Sequence, residues 1–313
     1  MKPDLISIAP LLPAQMARLA ERFTIHALPA ADPERAAMLG KLADQVRFLQ
    51  TTGFHGCDKA LMDRLPKLEI VGVMGVGVDA VDLPEARRRN IAVTNTPDVL
   101  NDDVADLAVS LMLMVGRHLA LSDRWVRDGR WLKTGQPLAT KVSGKTLGII
   151  GLGRIGKAIA RRAAGFDMTI AYHGRRQQAD VPYRYYADLA AMAADADFVI
   201  AICPGGPETR HIVNARVLEA LGPQGFLINV SRGSVVDEPA LVAALKAGTI
   251  AGAALDVFAD EPRVPAELLS LDNVVLSPHV GSATHETRAA MCNLVVDNLA
   301  AHLDGKPLLT RYA

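Results

Sequence analysis

The 313-residue sequence predicts two doubly wound α/β domains, one inserted into the other. Three observations predict this. Apolar runs of strand length alternate with helical segments along the chain, the pattern of a parallel sheet covered on both faces. Residues 146–156, TLGIIGLGRIG, pass from apolar run to glycine turn to helix-forming segment without interruption. Several polar residues of the second half fall just past the ends of apolar runs. The length accommodates about two domains at roughly 150 residues each.

In the first hundred residues, 5–9, 46–49, 70–74 and 91–93 are short apolar runs. They read as buried strands, and 13–22 has helical spacing. Residues 73–82, VMGVGVDAVD, end one such strand, and a helix over 81–89 follows. Ligands of open α/β sheets bind at the carboxyl ends of strands. The Val76 and Gly77 amides can therefore hold a small anion such as a carboxylate, and a plain turn is the equal alternative. Asn95-Thr96-Pro97-Asp98 breaks the pattern. Residues 103–116 are apolar on nearly all sides, which predicts a buried crossover helix into the second domain. The stretch 117–145 carries Trp125 and Trp131, as consistent with an interface as with core packing, and His118 reads as a helix-surface residue.

Each glycine of the central turn has its own reason. Gly151 permits the tight turn, Gly153 lets backbone approach a pyrophosphate, and Gly156 lets helix pack close to strand. The helix that follows presents unpaired N–H groups and its positive dipole end to phosphates. Further strands are expected at 168–172, 198–202, 226–230, 251–257 and 274–276, with Asp256 inside the fourth. A helix over 238–246 lies between two of them, and a last helix over 284–303 returns to the first domain. The second domain is then a six-strand dinucleotide-binding unit.

Arg232, Glu261 and His279 each follow a predicted strand, so the topology delivers all three to the sheet edge that carries the glycine turn. Each by itself reads as a loop residue. Together they suit hydride transfer to a ketone. Arg232 can bind a carboxylate with its planar fork. His279 can give a proton to the oxygen that becomes an alkoxide. Glu261 can fix the imidazole tautomer and raise its pKa from about 6.5.

Composition excludes other classes. The 34 Lys and Arg balance the 34 Asp and Glu, which argues against a general nucleic-acid or anionic-membrane binder. Cys57, Cys203 and Cys292 are far apart without CxxC spacing, as reduced cytoplasmic thiols would be, and no metal site is expected. The N-terminus lacks the pattern of a signal peptide, and the longest apolar run, 107–115, is too short to span a bilayer.

Residues 227–241 (LINVSRGSVVDEPAL), 254–262 (ALDVFADEP) and 276–284 (LSPHVGSAT) resemble signature segments of the D-isomer-specific 2-hydroxyacid dehydrogenases. The glycine turn and VMGVGVDAVD resemble that family's cofactor and substrate loops, and the likeness runs from about residue 70 to 291. The resemblance implies a Rossmann coenzyme-binding domain, 99–282, inserted into a smaller flavodoxin-like substrate-binding domain, 1–98 plus 283–313. It implies a catalytic set of Arg232, Glu261 and His279, with substrate held by Val76, Gly77, Arg232 and His279. It implies Asp256 on the nicotinamide carboxamide and Pro204 and Thr209 on the adenosine side. Arg154, Ile155, His173, Gly174, Cys203, Val230, Ser231 and Gly281 complete the implied cofactor contacts. A homodimer through the nucleotide domains is also implied.

An NAD site places an acid roughly 20 residues past the glycine turn, on the ribose hydroxyls. Here that position reads His173-Gly174-Arg175-Arg176, with no acid. Two guanidiniums can hold a 2′-phosphate, so the expected cofactor is NADP(H), with two solvated surface arginines as the alternative. The YxGR pattern at 172–175 is similar to that of glyoxylate/hydroxypyruvate reductases. The expected activity is NADPH-dependent reduction of such a small 2-oxo acid to the D-2-hydroxy acid. Residues 52–54 and Leu100 are expected to line the substrate pocket. A 2-ketogluconate-type reductase and a nucleotide-sensing corepressor-like scaffold are the rivals. Phosphoglycerate dehydrogenase is disfavoured because little chain follows residue 303. Formate dehydrogenase is disfavoured because the resemblance implies a Gln–His site there.

Overall fold

The computed structural model describes residues 2–313 and divides them into two compact units. One runs to Leu100 and resumes over Ser282–Ala313; the other is Asn101–Gly281.

The first unit begins with β1 (Asp4–Ser7), α1 (Pro13–Arg22), β2 (Thr24–Ala27), α2 (Glu34–Leu42) and β3 (Phe48–Thr52). It continues with α3 (Lys59–Asp63), β4 (Ile70–Met74), α4 (Leu83–Arg88) and β5 (Ala92–Thr94). All five strands are parallel, in the order β2-β1-β3-β4-β5. This is the flavodoxin-like order. Alternate strand residues feed opposite faces: Ile6, Leu49 and Val71 join one apolar cluster, and Leu5, Phe48 and Ile70 the other. That is why these strands read as continuous apolar runs. Pro13 opens α1, and the Asp58 and Asp82 carboxylates cap α3 and α4 by accepting the Leu61 and Glu85 N–H groups.

The second unit begins with α5 (Asn101–Gly116), α6 (Leu119–Arg127), β6 (Thr146–Ile150), α7 (Arg154–Ala164), β7 (Thr169–His173) and β8 (Arg184–Tyr186). Then come α8 (Leu189–Ala194), β9 (Phe198–Ala201), α9 (Ala215–Leu221), β10 (Phe226–Asn229), α10 (Glu238–Ala247), β11 (Gly252–Leu255), α11 (Ala266–Leu269) and β12 (Val274–Leu276). The order is β12-β11-β10-β9-β6-β7-β8, all parallel. Counted within the unit, its core is the 3-2-1-4-5-6 arrangement of dinucleotide-binding folds. The direction of winding reverses between β6 and β9, and the crevice there opens at their carboxyl ends. Half of α5's residues are buried, among them Val104, Ala105, Ala108, Val109, Leu111, Met112 and Val115. Finally α12 (His285–Leu303) packs on the first unit's sheet, where Gly72 makes room for Leu299.

The structure corrects several expectations. The second sheet has seven strands, not six, and the first has an extra strand, β2. Both β2 and β8 are short edge strands with exposed residues, so neither is an apolar run. Strand β11 stops at Leu255, leaving Asp256 in the turn beyond it. His118 is not on a helix face: it caps α6 in the left-handed region at φ 52°, where the chain bends between α5 and α6. Trp131 is 69% exposed, so it is no core residue. Among the described residues no single helix is long and apolar enough to cross a membrane.

Candidate active site

The turn after β6 separates what the protein needs from what it leaves open. Gly151 sits at φ 99°, and a Cβ there would come 2.8 Å from Cys203 Cα. Its N–H donates to the His173 carbonyl at 2.9 Å. A Cβ on Gly156 would fall 2.3 Å from the Gly151 carbonyl oxygen. Both glycines are therefore required by packing. At Gly153 an added Cβ would meet nothing within 4 Å. Gly153 is the N-cap of α7 without any side chain to cap it, and Arg154 and Ile155 open the helix. First-turn N–H groups have no intrahelical acceptor, so an open, unhindered helix start receives an anion. The residues fit a dinucleotide pyrophosphate.

The loop after β7 is fixed against this turn. Gln178 donates its side-chain amide to Leu152 O at 2.8 Å and its backbone N–H to the Tyr172 hydroxyl at 2.6 Å. The Tyr185 hydroxyl donates to Gly174 O at 3.1 Å. Arg175 and Arg176 at the loop's crest are exposed, with no ion pair among the described residues. His173 Nδ1 lies 3.0 Å from Tyr186 O, so its ring is committed to the β7–β8 pairing. Across the crevice, Cys203 is buried, and the Thr209 hydroxyl donates to Pro204 O at 2.7 Å.

The carboxyl ends of β10, β11 and β12 bring the charged residues together. Asn229 orders the first loop: its Oδ1 accepts the Ser231 N–H and hydroxyl, and its amide donates to Arg232 O. Arg232 is half-buried, and Val230 and Ser231 are buried beside it. Gly233 allows the next loop to come close, since a Cβ there would overlap the Phe258 carbonyl at 1.9 Å. On that loop Glu261 accepts the Phe258 N–H through Oε1 at 3.1 Å and faces His279 Nδ1 through Oε2 at 2.7 Å. Burial alone would raise the Glu261 pKa. Hydrogen bonds from His279 and Phe258, and the charges of His279 and Arg232, outweigh it and hold the carboxyl below its ordinary value. The pair leaves His279 Nε2 as the ring's other end, which can exchange a proton with a bound carbonyl oxygen.

Asp256 shapes the turn that carries His279. Its Oδ1 accepts the Ser277 hydroxyl at 2.7 Å and the Val280 N–H at 2.9 Å, and Oδ2 accepts the Gly281 N–H at 3.0 Å. His279 occupies the left-handed region at φ 53°. Burial pushes the Asp256 pKa up, against these three bonds. A carboxylate has about four acceptor sites, so one remains for a ligand amide.

In the first unit, β4 ends at the Val76–Gly77 loop. Asn95 donates its side-chain amide to Val76 O at 2.9 Å, and Thr96 and Gly75 exchange two bonds. Neither the Val76 nor the Gly77 N–H has a hydrogen-bond acceptor among the described residues. Leu100 is buried.

Sequence reasoning missed Asn229, Gly233, Ser277 and Gln178, which hold the site residues in place. The Asn229 and Ser277 signals lay inside the quoted segments; nothing in the sequence pairs Gln178 with Leu152.

The sequence profile described as "D-isomer specific 2-hydroxyacid dehydrogenase, NAD binding domain" matches residues 109–281. Hydroxyphenylpyruvate reductase of Plectranthus scutellarioides is 51% identical over 278 residues, 89% of each chain. The 2-ketogluconate reductase of Gluconobacter oxydans is 45% identical over 309 residues, 99% of this chain and 98% of its own. The crystal structure of an NADPH-dependent glyoxylate/hydroxypyruvate reductase from Sinorhizobium meliloti, in complex with NADP and malonate, aligns with a TM-score of 0.92. It is 46% identical, over 100% of this chain and 97% of that one.

Proposed function

The chain belongs to the D-isomer specific 2-hydroxyacid dehydrogenases, and from that premise we propose that it reduces a small 2-oxo acid of the glyoxylate/hydroxypyruvate kind to the D-2-hydroxy acid with NADPH. The His279–Glu261 pair beside Arg232 carries the reading. When bound, the dihydronicotinamide supplies a hydride to the carbonyl carbon. Charged His279 gives its Nε2 proton to the carbonyl oxygen, and Glu261 holds the ring by Nδ1 and stabilises its charge. The Arg232 guanidinium binds the substrate carboxylate and polarises the carbonyl. The Val76 and Gly77 amides also bind carboxylate, consistent with their lack of an acceptor among the described residues.

Arg175 and Arg176 bind the 2′-phosphate, supported by their exposure on a loop tied to the glycine turn and by the absence of an acid at 173–176, where β7 ends. The remaining implied contacts, including Asp256 to the carboxamide, belong to the same reading. The exposed apolar residues Val126, Trp131, Leu132 and Leu138 support a homodimer through the second unit. The 2-ketogluconate reductase relative, matched along nearly the whole chain, favours a larger hydroxylated 2-oxo acid as the second reading.

The test is NADPH and NADH oxidation with a panel of 2-oxo acids. NADPH-dependent turnover that His279→Ala reduces about 10²- to 10⁴-fold supports the assignment. Wild-type turnover in both His279→Ala and Arg232→Ala would overturn it. Binding of NADPH without turnover of any acid would point to a nucleotide-sensing scaffold.

A further inference from the structure

The loop after β3 is built against the loop after β4. Strand register sets Thr52 beside Met74, and Gly53 donates its N–H to Met74 O at 3.2 Å. A Cβ on Gly75 would come 3.3 Å from the Gly53 nitrogen. At the other end Gly56, at φ 62°, lies so close to Ala80 that an added Cβ would overlap the Ala80 carbonyl at 1.9 Å. The Thr51 hydroxyl donates to Gly56 O at 2.8 Å, and Gly56 N–H to Thr52 O at 3.0 Å. Residues 52–55 are thus held beside the Val76–Gly77 amides. Neighbouring strands lie about 4.8 Å apart, a spacing that a histidine side chain spans.

Within this loop Thr52 controls His55. Thr52 Oγ1 accepts the His55 N–H at 3.2 Å and stands 2.8 Å from His55 Nδ1. The hydroxyl keeps a second lone pair and its own hydrogen, so it serves either tautomer of the ring at Nδ1 and in both leaves Nε2 as the end that meets a ligand hydroxyl, which can donate or accept. The Phe54 ring meets the imidazole edge to face, with centroids 5.2 Å apart at 86°. His55 is exposed, and its Nε2 has no partner among the described residues.

We propose that His55 is a specificity-determining residue that hydrogen-bonds through Nε2 to a substrate hydroxyl beyond C2, with Thr52 as its positioning residue. The preferred class is then 2-oxo acids hydroxylated at C3 or further out, with hydroxypyruvate the smallest. The proposal rests on the Val76–Gly77 amides binding the substrate carboxylate, since only then does the rest of the substrate lie beside this loop.

The experiment compares kcat/KM with NADPH for glyoxylate, pyruvate and hydroxypyruvate in wild type, His55→Ala, Thr52→Val and Thr52→Ser. Pyruvate replaces the hydroxymethyl group of hydroxypyruvate by methyl. His55→Ala should lower kcat/KM for hydroxypyruvate about five- to tenfold, the worth of one hydrogen bond, mainly through KM. Glyoxylate and pyruvate should stay within about twofold, because they lose no bond. Thr52→Val should shift the hydroxypyruvate-to-pyruvate ratio the same way, and Thr52→Ser should restore it. An unchanged ratio in His55→Ala, or an equal loss for all three acids, overturns the proposal while leaving the reductase reading intact. A wild type that reduces none of the three fells both.

Discussion

Oε2 of Glu261 stands 2.7 Å from Nδ1 of His279, while Oε1 of the same carboxylate accepts the Phe258 N–H at 3.1 Å. Burial works against this charge, yet the two hydrogen bonds and the His279 and Arg232 charges keep the folded-state pKa below the ordinary one. The unfolded chain therefore holds this proton more tightly than the folded one. Such a group stabilises fully above its unfolded pKa, about 4.3, and the contribution is lost as pH falls through the folded value. The Tm gap between wild type and Glu261→Gln should accordingly be constant near neutral pH and close as the solution is acidified below about pH 4. A gap that widens on acidification would contradict the sign of the shift.

Asp256 and His279 make a different kind of pair. Three donors on the Asp256 carboxylate hold the turn in which His279 adopts φ 53°, a conformation that L side chains adopt at a cost of about 1–3 kcal/mol. In Asp256→Asn an NH₂ group would face the Gly281 N–H, donor against donor. Misplacing a reacting group by about 1 Å can cost about 10²-fold in rate, so kcat should fall by that order. Tm should also fall, because the buried Gly281 N–H is left without an acceptor at a cost of about 1–3 kcal/mol, but the protein should still fold. Loss of fold without a specific loss of rate would refute the positioning role.

That contrast marks what the sequence made legible. A parallel doubly wound sheet sends every strand's carboxyl end to one edge, so the positions of Arg232, Glu261 and His279 past β10, β11 and β12 could be read from apolar runs alone. The glycine spacing was equally legible, because backbone geometry dictates residue type there. The edge strands β2 and β8 were not, since they alternate or expose their side chains and carry no apolar signature. Nor was the anchoring of the His279 turn by Asp256, or of Gln178 on Leu152. These are contacts across loops, and short polar side chains make them without any periodicity. The Thr52–His55 hydrogen bonds are local, but their place beside Val76 depends on β3 pairing with β4.

The glycine turn offers a separation of folding from binding. Gly153→Ala should fold with a Tm close to that of wild type, because its Cβ meets nothing. It should nevertheless bind NADPH weakly in a fluorescence titration, because that Cβ occupies the space a pyrophosphate would approach. Gly151→Ala should lose both, through positive φ and overlap with the Cys203 backbone. If Gly153→Ala binds the dinucleotide normally, the pyrophosphate does not sit at this turn.

On the proposed reading, Arg175 and Arg176 discriminate the phosphorylated from the unphosphorylated cofactor. Both are exposed, so each contact with a 2′-phosphate is partly screened, and hydrogen bonds to charged groups contribute about 1.5–3 kcal/mol at most. Arg175→Ala with Arg176→Ala should raise the Kd for NADPH about tenfold or more and leave the Kd for NADH within about twofold. Because the loop is fixed by Gln178 and the Tyr172 and Tyr185 hydroxyls, neither alanine is expected to disturb it. Raising ionic strength should weaken NADPH binding in wild type more than in the double variant, since screening acts only where the guanidiniums meet the phosphate. Equal salt dependence in the two proteins, or a wild type that prefers NADH, would return these arginines to the role of solvated surface charge.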